Sequence, residues 1–374
     1  METRYWRDYN WWLSACVAVL LVIGISSVYS ATLNALTGSG APLRTIFPGH
    51  LVNIAIGLGG MVLLTFLDYR LLTSLARPLY IVAIPILAVV LVAGRVSEGA
   101  QSWIAIGTRT FQPSEFVKLV TIIALAAYFA HYEDRRSEWP IQFGGLLIAG
   151  VPMGLVLVQP DLGSATVYAA IWLCVAWAAG LRWTQLALLI MLAIPVAYVG
   201  WTYVLDDYQK VRLTTFYWLL TDPAQVDFNA GYNIIQALNA ISAGGMYGAG
   251  LTRGLFSQGN YVPVQHSDFI FAVVSEELGF VGAVVLLVFQ GLLLWQALSI
   301  GQRARDLFGQ LIAVGIFAML FTHLIINVGM NLSILPVTGL PLPLISHGGT
   351  FMIAVLSSVG LLQSIAMRWR KLSF

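Results

Sequence analysis

Between residues 327 and 349 the chain reads Asn327-Val-Gly-Met-Asn-Leu-Ser-Ile-Leu-Pro336-Val-Thr-Gly339-Leu-Pro341-Leu-Pro343-Leu-Ile-Ser-His347-Gly-Gly349. The stretch is apolar enough for a bilayer, yet its prolines remove backbone donors and obstruct a helix interior. In hydrocarbon an unpaired backbone group costs on the order of several kcal/mol. Broken backbone persists at membrane depth only where protein covers it or a wet cavity lies beside it. The segment therefore predicts the wall of a functional cavity inside a membrane protein.

Composition agrees with that reading. Of 374 residues 59% are hydrophobic and 10% charged, and the mean hydropathy is +0.82. Ordinary soluble domains sit near ~45–50% apolar and ~25% charged, so an all-α polytopic membrane protein is expected. No zinc-ligand spacing, GxGxxG or phosphate-binding loop occurs, which argues against a soluble nucleotide domain and against a nucleic-acid partner. Cys16 and Cys174 lie in apolar runs and read as small buried hydrophobes.

Apolar runs of spanning length occur near 12–32, 48–67, 78–94, 114–130, 142–158, 162–180, 184–205, 268–300, 309–335 and 344–367. That predicts ten transmembrane helices. The first run, about 20 residues, exceeds the ~7–15 of a signal peptide and is read as an uncleaved span. The eighth run exceeds what a bilayer needs, so it is expected to project into water or to tilt.

With the N-terminus inside, one face receives Arg4, Arg7, Arg70, Arg77, Arg135, Arg136, Arg182, Arg303, Arg305, Arg368, Arg370 and Lys371. The short loops of the other face receive Arg44, Arg95 and Arg109. This bias puts both termini in the cytoplasm. The one long loop, about 206–267, carries Asp206, Asp207, Asp222 and Asp227 and then a glycine-rich stretch. It is too short for a core of its own, and Ile234, Ile235 and Leu238 suggest that it docks on the outer mouth. The whole of 1–374 is thus read as a single membrane domain.

On this topology four motifs distant in sequence meet at the outer face. Phe111-Gln-Pro-Ser-Glu115-Phe-Val-Lys118 opens the fourth span and Gln159-Pro-Asp161-Leu-Gly163 turns between the fifth and sixth. His266-Ser-Asp268-Phe opens the eighth, and Pro336–Gly349 joins the ninth and tenth. Asp268 sits where water gives way to apolar sequence, and partial desolvation makes a carboxylate a better base. The same position also suits a helix N-cap. Glu115 and Lys118 share a helix face at i, i+3. Charges inside a span cost roughly 2.5–3.5 kcal/mol each, so the pair has either a structural or a catalytic task. Gln159 and Asp161 read as a hairpin cap or as cavity polar groups. Trp103 reads as an interfacial aromatic, and at least one of Glu276 and Glu277 as a helix-bridging acid. His323, Asn327 and Asn331 form an i, i+4, i+8 polar stripe of the kind that bonds helices together.

These motifs, with Asp207-Tyr-Gln-Lys-Val-Arg212, Gly231-Tyr-Asn-Ile-Ile-Gln236 and Glu276-Glu277-Leu-Gly279, occur in the order of the SEDS family (shape, elongation, division and sporulation). The chain most resembles the family's RodA-type elongation branch. The resemblance implies a peptidoglycan glycosyltransferase that polymerises lipid II, works beside a class B penicillin-binding protein and other elongation-complex membrane proteins, and sits in the bacterial cytoplasmic membrane. It assigns catalysis to Asp268, acting directly or by holding a divalent cation (Mg2+ or Mn2+). Substrate contacts are assigned to Lys118, Glu115, Trp103, Asp161, Gln159, Arg212, Gln236 and Ser346. Three positions depart from the family pattern: Ser102 for a frequent arginine, Val264 for a frequent acid and His347 for a frequent tyrosine. The alternative class is a lipid-linked precursor flippase or transporter. Such proteins favour midplane sites and inverted repeats, whereas these ionisable motifs cluster at one face.

Overall fold

The computed structural model describes residues 8–34, 46–97, 100–106, 109–205, 207–222 and 228–368. Arg4, Arg7, Arg44, Asp206, Asp227, Arg370 and Lys371, used above for orientation and loop charge, lie outside these residues. Helices α1 (Trp11–Leu33), α2 (Ile46–Phe66), α3 (Leu71–Ala93), α4 (Pro113–His131), α5 (Trp139–Val158), α6 (Leu162–Ala178) and α7 (Trp183–Val199) follow the first seven apolar runs. The long loop forms α8 (Asp207–Thr221), α9 (Phe228–Ala243) and α10 (Leu255–Gln258), and α11 (Ile270–Arg303), α12 (Leu307–Asn331) and α13 (Gly349–Met367) complete the bundle. Among the described residues nine helices are long and apolar enough to cross a membrane, and α6, with 17 residues, is a shorter tenth.

Burial sorts these helices. α4, α12 and α13 are the most enclosed, while α7 exposes its apolar length to the surroundings. α13 packs along α2, and α12 packs on α11, α6 and α4. Between α3 and α4, β1 (Arg95–Ser97), β2 (Ala100–Ile106) and β3 (Arg109–Phe111) form a small antiparallel sheet. Its register, Arg95 opposite Trp103 and Ile104 opposite Phe111, carries Trp103 to the mouth of the bundle.

Two predicted spans take a different form. α12 ends at Asn331, and the proline segment runs on as turns and extended chain to α13, which begins only at Gly349. The eighth run carries a break: Gly279 adopts φ 69° and ψ −170° inside α11. A left-handed φ is open to glycine at little steric cost. The loop after α9 fills the break, since Phe280 and Val281 N–H donate to Gly245 and Met246 carbonyls, and Ala249 and Gly250 N–H donate to Glu276 and Glu277 carbonyls. These four bonds are backbone to backbone, and they give partners to groups that the break would otherwise leave open.

The long loop is docked, as its apolar residues suggest. Ile234 is buried, and Ala237 and Ala240 pack with Val262, Phe269 and Ala272 around the start of α11. Both acids of the Glu276-Glu277 pair hold this region. Glu276 accepts from Phe256 N–H (2.6 Å) and Ser257 N–H (2.9 Å) at the start of α10. Glu277 accepts from Ser30 Oγ at 2.5 Å on α1.

Candidate active site

α4, the α5–α6 turn, α8, the segment before α11 and the proline segment after α12 enclose one cavity of about 110 Å³. Its polar lining comprises Glu115, Gln112, Asp161, Arg212, Asp268 and Gln209, with Trp103 and Ser102 entering from β2 and Pro336–Pro341 forming a wall. Thus the proline segment does bound a cavity, and four sequence-distant motifs do converge on it.

Asp268 is nearly buried, 7% exposed. Its Oδ1 accepts from Ser267 Oγ at 2.8 Å, and its backbone carbonyl accepts from Asn327 Nδ2 (2.9 Å) and Asn331 Nδ2 (3.0 Å). Phe269, not Asp268, occupies the N-cap position of α11. Asn327 also donates to Leu340 O at 2.8 Å, so one side chain of the polar stripe fixes both Asp268 and the opposite wall. Gly339 (φ 74°) brings that wall close: a Cβ there would stand 3.3 Å from Asp268 Oδ2.

Glu115 and Lys118 lie on α4 with exposures of 2% and 0%. Lys118 Nζ donates to Glu115 Oε1 at 2.8 Å and contacts His323 Nε2 at 3.3 Å. Glu115 faces the cavity; Lys118 stands behind it and is absent from the lining. Asp161 caps α6, its Oδ1 accepting from Ser164 N–H at 2.9 Å, while Oδ2 accepts from Gln112 Nε2 at 3.2 Å. Arg212 reaches the proline segment, with Nη1 3.4 Å from Val337 O.

Besides Lys118, three of the anticipated contacts are placed elsewhere. Gln159 is buried and donates to Leu87 O at 2.9 Å, tying the C-terminal end of α5 to α3. Gln236 is half-buried on α9 outside the cavity lining. Ser346 Oγ accepts from Leu342 N–H (2.8 Å) and donates to Ser267 O (2.7 Å), a staple across the wall. Conversely, Gln112 and Gln209 line the cavity and were not singled out from sequence. Gln209, three residues before Arg212, shares its helical face, and Gln112 is the N-cap residue just ahead of Pro113 at the start of α4; these placements are the signals that could have found them. Of the three departures, Ser102 lines the cavity, Val264 adopts φ 49° four residues before Asp268, and His347 N–H donates to His266 O at 2.9 Å.

Burial holds His266, just outside α11, down to about 4. No group of three or more His, Cys, Asp or Glu side chains able to hold a metal occurs among the described residues.

A polytopic helical membrane protein with a carboxylate-lined cavity under one face, walled by broken backbone, is the class that fold and site define. The family model of the FtsW, RodA and SpoVE cell cycle proteins matches residues 10–371, and the chain belongs to this family. Peptidoglycan glycosyltransferase MrdB of Escherichia coli K12 is 36% identical over 86% of this chain and 85% of its own length. Peptidoglycan glycosyltransferase RodA of Treponema pallidum is 31% identical over 98% of this chain and 100% of its own. Among solved structures, a chain from a study of how a peptidoglycan synthase complex coordinates polymerization and crosslinking superposes with a TM-score of 0.80 at 33% identity, covering 96% of this chain and 97% of the other. The rod shape determining protein RodA of Thermus thermophilus gives 0.68 at 31% identity, with 96% of each chain covered.

Proposed function

We propose that the outer cavity is where this chain polymerises lipid II, as donor and acceptor, into glycan strands during cell elongation. The chain is a membrane-embedded peptidoglycan glycosyltransferase, and the relatives' names and the family membership support that class. Asp268 removes the proton from the acceptor GlcNAc 4-hydroxyl. That oxygen attacks C1 of the donor MurNAc, the bond to the pyrophosphate breaks, undecaprenyl pyrophosphate leaves with the electron pair, and the anomeric centre inverts. Arg212, a cavity-lining cation, offsets charge growing on the leaving group. Lys118 acts one layer back, holding Glu115 in place through its 2.8 Å hydrogen bond. Trp103 supplies an apolar face to a sugar ring.

A divalent cation is the other route by which Asp268 could serve. The donor set does not favour a ready-made cage, because Glu115 is engaged by Lys118 and Asp161 by Ser164 and Gln112.

The observation that carries the reading is the meeting of Asp268, Glu115, Asp161 and Arg212, from four separate segments, in one cavity under the outer face. Both termini then face the cytoplasm, in line with the arginine bias. The partner is a class B penicillin-binding protein, consistent with the likeness to a chain of a peptidoglycan synthase complex. The test mixes purified protein with lipid II in detergent, where flipping has no meaning. Glycan polymer, made faster when a cognate class B penicillin-binding protein is added, is the expected result; no polymer under either condition contradicts the reading.

A further inference from the structure

His323 is fully buried in α12 and belongs to neither the cavity lining nor the mechanism above. Its two ring nitrogens have different partners. Nδ1 stands 3.1 Å from the carbonyl oxygen of Pro341, and Nε2 stands 3.3 Å from Lys118 Nζ. A carbonyl oxygen can only accept, so Nδ1 carries the proton and Nε2 presents a lone pair to the ammonium. The ring is held flat against Phe351, with centroids 4.4 Å apart. His323 therefore joins the buried ion pair of α4 to Pro341 in the cavity wall.

The consequence falls on Glu115. Its Oε1 is taken by Lys118, and its Oε2 is buried with no hydrogen-bond partner among the described residues. A buried acceptor left unsatisfied costs about 1–3 kcal/mol, more when charged, so such an oxygen in a cavity-lining residue calls for a donor from outside the protein. Lys118 can rotate its three donors about a flexible stem, and a second acceptor is what stops it from dragging Glu115 away.

We propose that His323 is a positioning residue for glycosyl transfer. By accepting from Lys118 and donating to Pro341 it fixes Glu115, whose free Oε2 takes a hydroxyl or amide N–H of the bound glycolipid. The proposal rests on the reading of the cavity as the polymerisation site. His323 touches no reacting atom and acts through Lys118 alone.

Two substitutions split its two bonds. His323→Gln places a carbonyl oxygen near the position of Nε2, keeping an acceptor for Lys118 and giving up Pro341. His323→Asn places an amide N–H near Nδ1, keeping the Pro341 bond and giving up Lys118. In lipid II polymerisation with the full chain, kcat of His323→Gln stays within a few-fold of the parent. That of His323→Asn falls by on the order of 10²-fold, as for a displaced catalytic constellation, with KM changed much less. A retained kcat in His323→Asn with loss in His323→Gln, equal loss in both, or parental rates in both overturns the proposal. Histidine 15N spectra of the parent protein give an independent reading that no misfolded variant obscures. Protonated Nδ1 with unprotonated Nε2 at residue 323 supports the assignment, and the reverse tautomer contradicts it. A parent chain that makes no polymer sinks the reading of the cavity itself, whereas an active parent with indifferent variants sinks only the role of His323.

Discussion

Lys118–Glu115 and Arg135–Glu138 are both i, i+3 pairs closed at 2.8 Å, yet the first has side-chain exposures of 0% and 3% and the second 63% and 44%. Arg135 sits in the short turn between α4 and α5, where water screens the pair and long side chains lose little by letting go. On α4 the pair is enclosed by protein. Removing either partner there strands a charge, which costs far more than the pair contributes when intact. Geometry alone does not distinguish the two; surroundings do. In the buried pair the surroundings include a cavity, a histidine and a wall of broken backbone.

The largest effect should come from breaking the buried pair on one side. Lys118→Met leaves the Glu115 carboxylate uncompensated and should destabilise the fold by roughly 3–5 kcal/mol, visible as a large drop in detergent melting temperature with loss of polymerisation. Adding Glu115→Gln to Lys118→Met removes both charges and should recover much of the melting temperature while leaving polymerisation absent. Parental melting and turnover in the single variant would erase the contrast with Arg135–Glu138.

A smaller effect concerns pH. His266 is held neutral by burial, its pKa depressed from 6.5 to about 4. Between these values the unfolded chain binds a proton that the folded chain does not. This contribution to stability is therefore complete above pH ~6.5 and is lost as pH falls toward ~4. His266→Asn should flatten that part of a melting-temperature profile, and an unchanged slope counts against the assignment. The smallest effect belongs to the exposed pair: Arg135→Gln should leave melting temperature and polymerisation unchanged within error.

Much of the fold was readable before any coordinates. The ten runs, the docked loop and the cavity wall follow from hydropathy, proline chemistry and the need to satisfy backbone in lipid. The break at Gly279 was not readable, because one glycine in an apolar run is compatible with an unbroken helix. Only the approach of Gly245–Gly250 from the preceding loop reveals it. Likewise the sequence placed Lys118 among the substrate contacts, since a charge in a span signals a site but not which shell it occupies. Gln159 and Ser346 show the same blindness: a polar side chain in a motif can bond backbone as readily as ligand. The stripe His323, Asn327 and Asn331 was legible as bonding between segments, but not the division by which two members hold Asp268 and the third holds Lys118.

The central claim is that the carboxylate of Asp268 performs chemistry rather than holding structure. Asp268→Asn is nearly isosteric, and its Oδ1 can still accept from Ser267. The backbone carbonyl that Asn327 and Asn331 grip is untouched. The side chain then lacks its charge, its second acceptor oxygen and its capacity to take a proton. Measured with lipid II in detergent beside a melting curve, the account predicts parental melting temperature and no glycan product. Near-parental polymerisation by this variant would contradict it and return Asp268 to a structural role.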